Sequence, residues 1–371
     1  MHTTAGHASE LTDAQIECFF GARHFVLFDL DKYGRIPIVH YFQWVMRKNE
    51  LMRTRSELST YDSGGNGWLT EADLQGYVKD LRVRLPALTG LLDAFVHFYV
   101  VTAVRKFFFF LDPRRRGRIR INDVLLSPIL QELLDLRRPD LSAEDLRSNW
   151  FSQQSAAQIY DDYLQLDIDQ NGMLSAYEIQ KWRDEGLSTT FVNRLWQELN
   201  LYPKGGSGSR DSLEMDYKIY LDFVLANTYK TTFEALQYHF RVLDFNKTGR
   251  LTVFEINYFF RAIVEKMMYL KYRDAYRDDS SRDDSSRRDS DAVPASVLTG
   301  YPEREREAAK LLEDVVDEIF DMVKPEDPNF ITLKDLVECK VGETVVNILT
   351  DVWGFLMYDQ REQLMHDKND D

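Results

Sequence analysis

Residues 167–178 read Asp167-Ile-Asp-Gln-Asn-Gly-Met-Leu-Ser-Ala-Tyr-Glu178, and their spacing decides the fold. Carboxylates or an amide stand at the first, third and fifth places (Asp167, Asp169, Asn171), with Gly172 at the sixth where the chain turns sharply. Met173 offers a backbone carbonyl at the seventh, Ser175 a water-mediated contact at the ninth, and Glu178 a bidentate carboxylate at the twelfth. A hard cation needs several oxygens converging from one short segment, and this is the ligand order of a calcium loop. Leu174 is the apolar eighth residue expected to bridge to a partner loop, and Ser175-x-x-Glu178 is a capping box for an exiting helix. Ile159, Tyr160, Tyr163, Leu164 and Leu166 keep helical spacing before it, so helix, loop and helix, an EF-hand, are expected here.

Working outward, the same frame recurs in decayed form. Asp29–Ile36 begins a loop but has Pro37 at nine and His40 at twelve, a relic without its closing carboxylate. The loop 62–73 has Gly64 at three and the short Asp73 at twelve; it is expected to pair with the relic before it. The loop 112–123 carries Arg114, Arg115, Arg116, Arg118 and Arg120 where a cation would sit. Two readings stand for them: guanidinium groups replace the ion against local carboxylates, or they form a basic contact for an acidic partner. Met215 fits position eight of a ligand-poor half-hand at 208–219, the expected partner of the intact loop. Asp244, Asn246, Thr248, Arg250 (through its carbonyl) and Glu255 form a second, weaker candidate site, with Leu251 at eight. Lys324–Asp335 keeps Ile331 at eight but has lost its ligands; it is expected to pair with the loop at 244.

The fold expected is all-α: tandem EF-hand modules with mostly degenerate loops and short two-stranded loop bridges. The division expected is 1–50, a helical region with the relic loop; 51–140, a degenerate module; 141–230, the module with the intact loop; and 231–371, a C-terminal EF-hand-like module with an insertion at about 272–300. The Gly/Ser run 205–209 reads as a tether, the Arg/Asp/Ser run 272–292 as a disordered, mixed-charge linker, and the last six residues as a frayed tail.

The chain has 371 residues, 46 basic and 61 acidic, and a net charge of −15. Such acidity argues against nonspecific contact with nucleic acid or anionic membrane. Cys18 and Cys339 form no metal or redox spacing and are expected as reduced thiols in a cytoplasmic setting. No secretory pattern opens the sequence, and the apolar run 94–104 is read as a buried helix. His97 and His239, in apolar helical runs, are expected in the core. Phe107–Phe110 are expected to pack at helix crossings, with at least one facing outward as a candidate scaffold contact. No catalytic constellation appears among the seven histidines, no Walker loop and no nucleophile elbow, so no enzyme is expected.

Four stretches, 98–123 (FYVVTAVRKFFFFLDPRRRGRIRIND), 149–178, 214–263 and 315–336 (VVDEIFDMVKPEDPNFITLKDL), resemble in content and order the B″-type regulatory subunits of protein phosphatase 2A. The likeness is to the gamma-like group that includes the plant TONNEAU/FASS proteins. It implies a non-catalytic adaptor that binds the phosphatase scaffold and catalytic subunits and steers substrate choice. It implies calcium at Asp167, Asp169, Asn171, Met173 and Glu178, and by analogy cytoskeletal or centrosomal partners at microtubule arrays, centrosome or basal body. A free-standing calcium sensor acting on cytoskeletal targets is the other reading. One strong loop among several weakens it.

Overall fold

The computed structural model describes the backbone of residues 19, 21–199, 202–203, 213–280 and 302–369; side chains are described within 19–199, 213–270 and 310–361. The expected Gly/Ser tether and residues 281–301 lie outside them. A short α1 (Ala22–Phe25) precedes a long α2 (Ile38–Tyr61), which runs through residue 50. Then come β1 (Trp68–Thr70), α3 (Glu71–Arg82), α4 (Asp93–Leu111), β2 (Arg118–Arg120), α5 (Ile121–Leu126), α6 (Pro128–Asp135), α7 (Ala143–Ser148) and α8 (Gln153–Leu166). After the intact loop follow α9 (Ala176–Ile179), α10 (Thr189–Glu198), β3 (Tyr202–Pro203), β4 (Leu213–Glu214), α11 (Tyr217–Thr228) and α12 (Phe233–Leu243). The last hands comprise β5 (Leu251–Thr252), α13 (Val253–Ser280), α14 (Pro302–Val323), β6 (Phe330–Ile331), α15 (Leu333–Glu338), α16 (Gly342–Thr350) and α17 (Val352–Asn369).

The helix starts are written locally. Thr70/Asp73, Ser142/Asp145, Ser175/Glu178 and Thr332/Asp335 each form a reciprocal capping box, satisfying amide groups that a helix start leaves orphaned. The loops then meet in antiparallel pairs through their eighth residues. Leu69 sits opposite Ile119, Leu251 opposite Ile331, and Leu174 and Met215 exchange both backbone hydrogen bonds at 2.8 Å. Two of these pairings follow the sequence reading. The first does not: the 62–73 loop pairs with 112–123, not with 29–40. Pro37 stands where the relic would need an amide beyond its eighth residue, and α2 starts at once after it.

Two apolar cores result, one from Leu58 to Ala156 and one from Tyr163 to Phe355. Helix α11 is their common wall. Leu221 and Leu225 enter the first core, while Tyr220, Phe223 and Ala226 enter the second; each large side chain so buried contributes roughly 1.5–3 kcal/mol. The apolar run 94–104 lies in α4, whose Tyr99–Val104 are buried. Its length and composition alone would allow a membrane span; in this fold it is a core helix. Of the four phenylalanines, Phe107 and Phe108 are buried, Phe109 packs by Tyr238 and Phe110 by Tyr229. Phe109 and Phe110 are half-buried, so none of the four is fully exposed as the outward face was expected to be.

Four further expectations need correction. His97 is exposed, because it shares the outer face of α4 with Asp93 and Ala94. The backbone of α13 stays helical to Ser280, into the stretch read as a disordered linker, and α17 runs to Asn369 through most of the expected frayed tail. Helix α9 ends after one turn. Arg183, Asp184 and Glu185 then take φ of 46°, 57° and 61°, left-handed values that non-glycine residues rarely hold without support. The support comes from the far end of the chain. Val352 N donates to Gly186 O at 2.9 Å, Ser188 N to Thr350 O at 3.2 Å, and Trp353 Nε1 to Asp184 O at 3.2 Å. A Cβ on Gly186 would lie 2.5 Å from Asp351 and Trp353 atoms, so only glycine fits this seam.

His239 is a core histidine as expected. Its Nε2–H donates to the Ala226 carbonyl at 3.2 Å, and the ring stacks by Phe191. Burial, with repulsion from Lys230, pushes its pKa down to about 3. Between pH 6.5 and 3 the unfolded chain therefore takes up a proton that the folded chain refuses. The stabilisation is complete above about pH 6.5 and is lost as pH falls, at about 1.4 kcal/mol per unit. Urea titrations at pH 7, 6 and 5 with EGTA present should show this slope, and His239→Phe should flatten it. An unchanged slope in the variant would mean that His239 is not the group responsible.

Candidate metal centre

The intact loop is assembled by its own backbone. Asp167 caps the end of α8, its Oδ1 accepting Asn171 N at 3.0 Å and its Oδ2 Gly172 N at 2.9 Å. Gly172 has φ +80° and Gln170 +55°, the two left-handed steps that fold the loop on itself. Tyr163 Oη donates to Gly172 O at 2.7 Å and fastens the turn to α8. Glu178, the last residue of the cap, points back across the loop. Its Oε1 accepts Ile168 N at 2.8 Å and its Oε2 accepts Ser175 N at 2.8 Å. Asp167 and Glu178 are buried, at 6% and 4% exposure.

One carboxylate oxygen each from Asp167, Asp169 and Glu178 lie within 4.8 Å of one another. Two oxygens held ~2.4 Å from a single calcium ion can be at most ~4.8 Å apart, so the three can share one ion. Three carboxylates, an amide, a carbonyl and a hydroxyl-held water fit a hard, oxygen-seeking cation and no softer one. The three expected carboxylates are thus brought together, while Asn171 turns its Nδ2 to Asp169 Oδ2 at 3.0 Å, and a further carboxylate lies beside them. Glu214, 4% exposed, accepts from Asn171 Nδ2 at 3.1 Å. It comes from the half-hand judged to lack ligands. The signal was its place next to Met215, since the residue beside a bridging eighth position is carried to the neighbouring loop.

The 244–255 loop has the same skeleton with a thinner donor set. Asp244 Oδ2 accepts Gly249 N at 2.6 Å and Oδ1 accepts Thr248 N at 3.0 Å. Asn246 Nδ2 donates to Glu255 Oε1 at 2.7 Å, and Thr252 holds the other oxygen. Burial raises the Glu255 pKa, but the bonds from Thr252 and Asn246 outweigh it and hold the carboxyl below its usual range. Asp244 and Glu255 supply two carboxylates, one fewer than the first loop. Thr248 Oγ1 is turned to Asp244 and to the Arg250 carbonyl.

Two of the remaining loops, 62–73 and 112–123, keep the bond from the first residue to the sixth. Asp62 Oδ2 accepts Gly67 N at 2.6 Å, and Asp112 Oδ2 accepts Gly117 N at 2.7 Å. In the relic, Asp31 accepts from Tyr33 N and Arg35 N. Among the described residues, no other three His, Cys, Asp or Glu side chains gather as those of the intact loop do. Cys339 is a free thiol; Cys18 lies outside the described residues.

One ion pair ties the two cores. Arg105 of α4 makes a bidentate contact with Asp222 of α11, Nε to Oδ1 and Nη2 to Oδ2 at 2.6 Å each. Beside it Thr102 Oγ1 and Tyr217 Oη are 2.8 Å apart. No local motif marks this pair, because its members meet only once both hands have packed.

Paired hands, one with a full ligand set and most without, define an EF-hand protein whose loops are chiefly packing units. No family model matches the chain. Curated relatives do. It is 42% identical to the B″ subunit gamma of serine/threonine-protein phosphatase 2A from Xenopus tropicalis, over 98% of this chain and 72% of that one. It is 43% identical to the Homo sapiens protein of that name, over 96% and 69%. It is 36% identical to the probable B″ subunit TON2 of Arabidopsis thaliana, over 94% and 66%. A chain from a structure described as a PP2A PR70 holoenzyme, diCa, shares the fold at TM-score 0.59 and 20% identity, covering 81% of this chain and 96% of that one. The chain belongs to the B″ family of protein phosphatase 2A regulatory subunits, with the gamma-type members and TON2 among its relatives. Its role is regulatory and not catalytic.

Proposed function

We propose that the chain bridges the scaffold and catalytic subunits of protein phosphatase 2A, directs substrate choice, and carries a calcium ion at Asp167, Asp169, Asn171, Met173, Ser175 and Glu178. The observation that carries the calcium reading is the convergence of three carboxylate oxygens within 4.8 Å on a loop already folded around them. Asp244, Asn246, Thr248, Arg250 and Glu255 hold a second ion more weakly, since one carboxylate is missing. The PR70 neighbour, described as a diCa holoenzyme, is consistent with both the partners and the ion. The ion's main work is structural. Helix α9 is one turn long and its exit is locked to residues 350–353, which leaves little freedom for a sensor's opening motion. The module boundaries near 50, 140 and 230, a cytoplasmic location, and cytoskeletal or centrosomal partners at microtubules belong to the same reading.

Mixing the full chain with scaffold and catalytic subunits and resolving them by size-exclusion chromatography tests it. A trimer should elute with calcium, and in EGTA it should persist in reduced yield. No trimer in either condition would remove the adaptor role. A calcium titration of the isolated chain judges the ion independently.

A further inference from the structure

The arginine-rich loop 112–120 is a second kind of site. Arg118 and Arg120 project from the same face of β2, and their guanidinium carbons each lie 4.8 Å from the ring centre of Trp68 on β1. Leu69 and Ile119, on the opposite face, are buried, so the ribbon is fixed from beneath. The loop tip is equally fixed, by Asp112 Oδ2 to Gly117 N at 2.7 Å and by Arg241 Nη2 to Pro113 O at 3.2 Å. Among the described residues, of the five arginines only Arg115 approaches a carboxylate, 4.0 Å from Asp222. Among the described residues Arg114, Arg116, Arg118 and Arg120 have no ion pair, and all four are exposed. The reading in which guanidinium groups replace the ion against local carboxylates therefore fails for four of the five. Arg120 also occupies the place where other loops put the Ser or Thr of the cap, and α5 starts without one.

We propose that this ribbon binds an acidic, Asp/Glu-rich peptide segment of a protein partner. Guanidinium forks match carboxylates in pairs, and stacking on Trp68 leaves their edges free to donate. The positive groups are spread along a ribbon and do not converge on one point, which suits a run of carboxylates over a single phosphate. The net charge of −15 does not prevent this, because at 0.1 M salt charges beyond ~10 Å are largely screened. The proposal is independent of the calcium loop and of the adaptor role.

Fluorescence anisotropy of a labelled twelve-residue glutamate peptide against the full chain, in 0.1 M NaCl with EGTA, tests it. The wild-type chain should bind, and binding should weaken as salt rises. Arg118→Gln/Arg120→Gln and Arg114→Gln/Arg116→Gln, each keeping much of the side-chain stem, should each weaken it at least fivefold. Among the described residues the second pair makes no side-chain hydrogen bond, ion pair or ring contact, and it should melt as wild type does. Lys32→Gln/Arg35→Gln, in the relic loop, should bind as wild type. No binding by the wild-type chain, equal binding by both arginine pairs and wild type, or tighter binding of a neutral peptide with one phosphoserine would each overturn the proposal.

Discussion

Replacing Asp222 with alanine should destabilise the protein by about 3 kcal/mol. The change leaves the Arg105 guanidinium without its bidentate partner between two packed helices, and breaking one side of a buried pair costs ~3–5 kcal/mol. The lower end applies because 20% of the Arg105 side chain stays exposed. Asp222→Asn, which keeps the shape and one acceptor, should lose less. Urea denaturation at pH 7 gives the difference directly. Hydrogen exchange should place the loosening in α4 and α11, on both sides of the seam. A loss under 1 kcal/mol would mean that Arg105 reaches water once freed, and that packing of α11 alone joins the cores.

Glu178→Gln should abolish tight calcium binding. The change removes one of three negative charges and the bidentate ligand. Loss of an outer-shell partner alone weakens a metal site ~10–100-fold, so this first-shell loss should exceed that range. The amide can still accept from Ile168 N, so the empty loop should keep its shape. Calorimetry with the full chain checks it, and Glu255→Gln beside it should leave the stronger event intact. Undiminished strong binding in Glu178→Gln would reassign the ion to another loop.

How much of this could be read beforehand depended on range. Ligand order, the capping box at 175/178 and the eighth-residue bridges at 174/215 and 251/331 follow from repeated short patterns, and they were legible. The pairing of 62–73 with 112–123 was not, because two loops competed for one partner and the proline at 37 had to be weighed as a missing donor. Nor was the end of α9. Ser175 and Glu178 announce a helix, while its termination is enforced by Gly186 together with Thr350, Val352 and Trp353, partners as much as 169 residues away in sequence. His97 misled because an apolar run around a helix does not say which side is wet. Glu214 and Asp222 were invisible for a related reason: a carboxylate acquires its partner only from the packing that follows.

The abrupt end of α9 has a mechanical consequence. At 1.5 Å per residue its four residues reach only ~6 Å, so a 10° swing at the intact loop moves the far end by ~1 Å. Helix α13, leaving the 244–255 loop, spans Val253–Ser280, and by the same rise reaches ~42 Å, where 10° becomes ~7 Å. The loop with three carboxylates sits on a stub and the loop with two on a long helix. On the proposed ion assignment, anchoring and lever length fall to different hands, the fuller loop holding a stub and the thinner one holding the root of a long, core-packed helix.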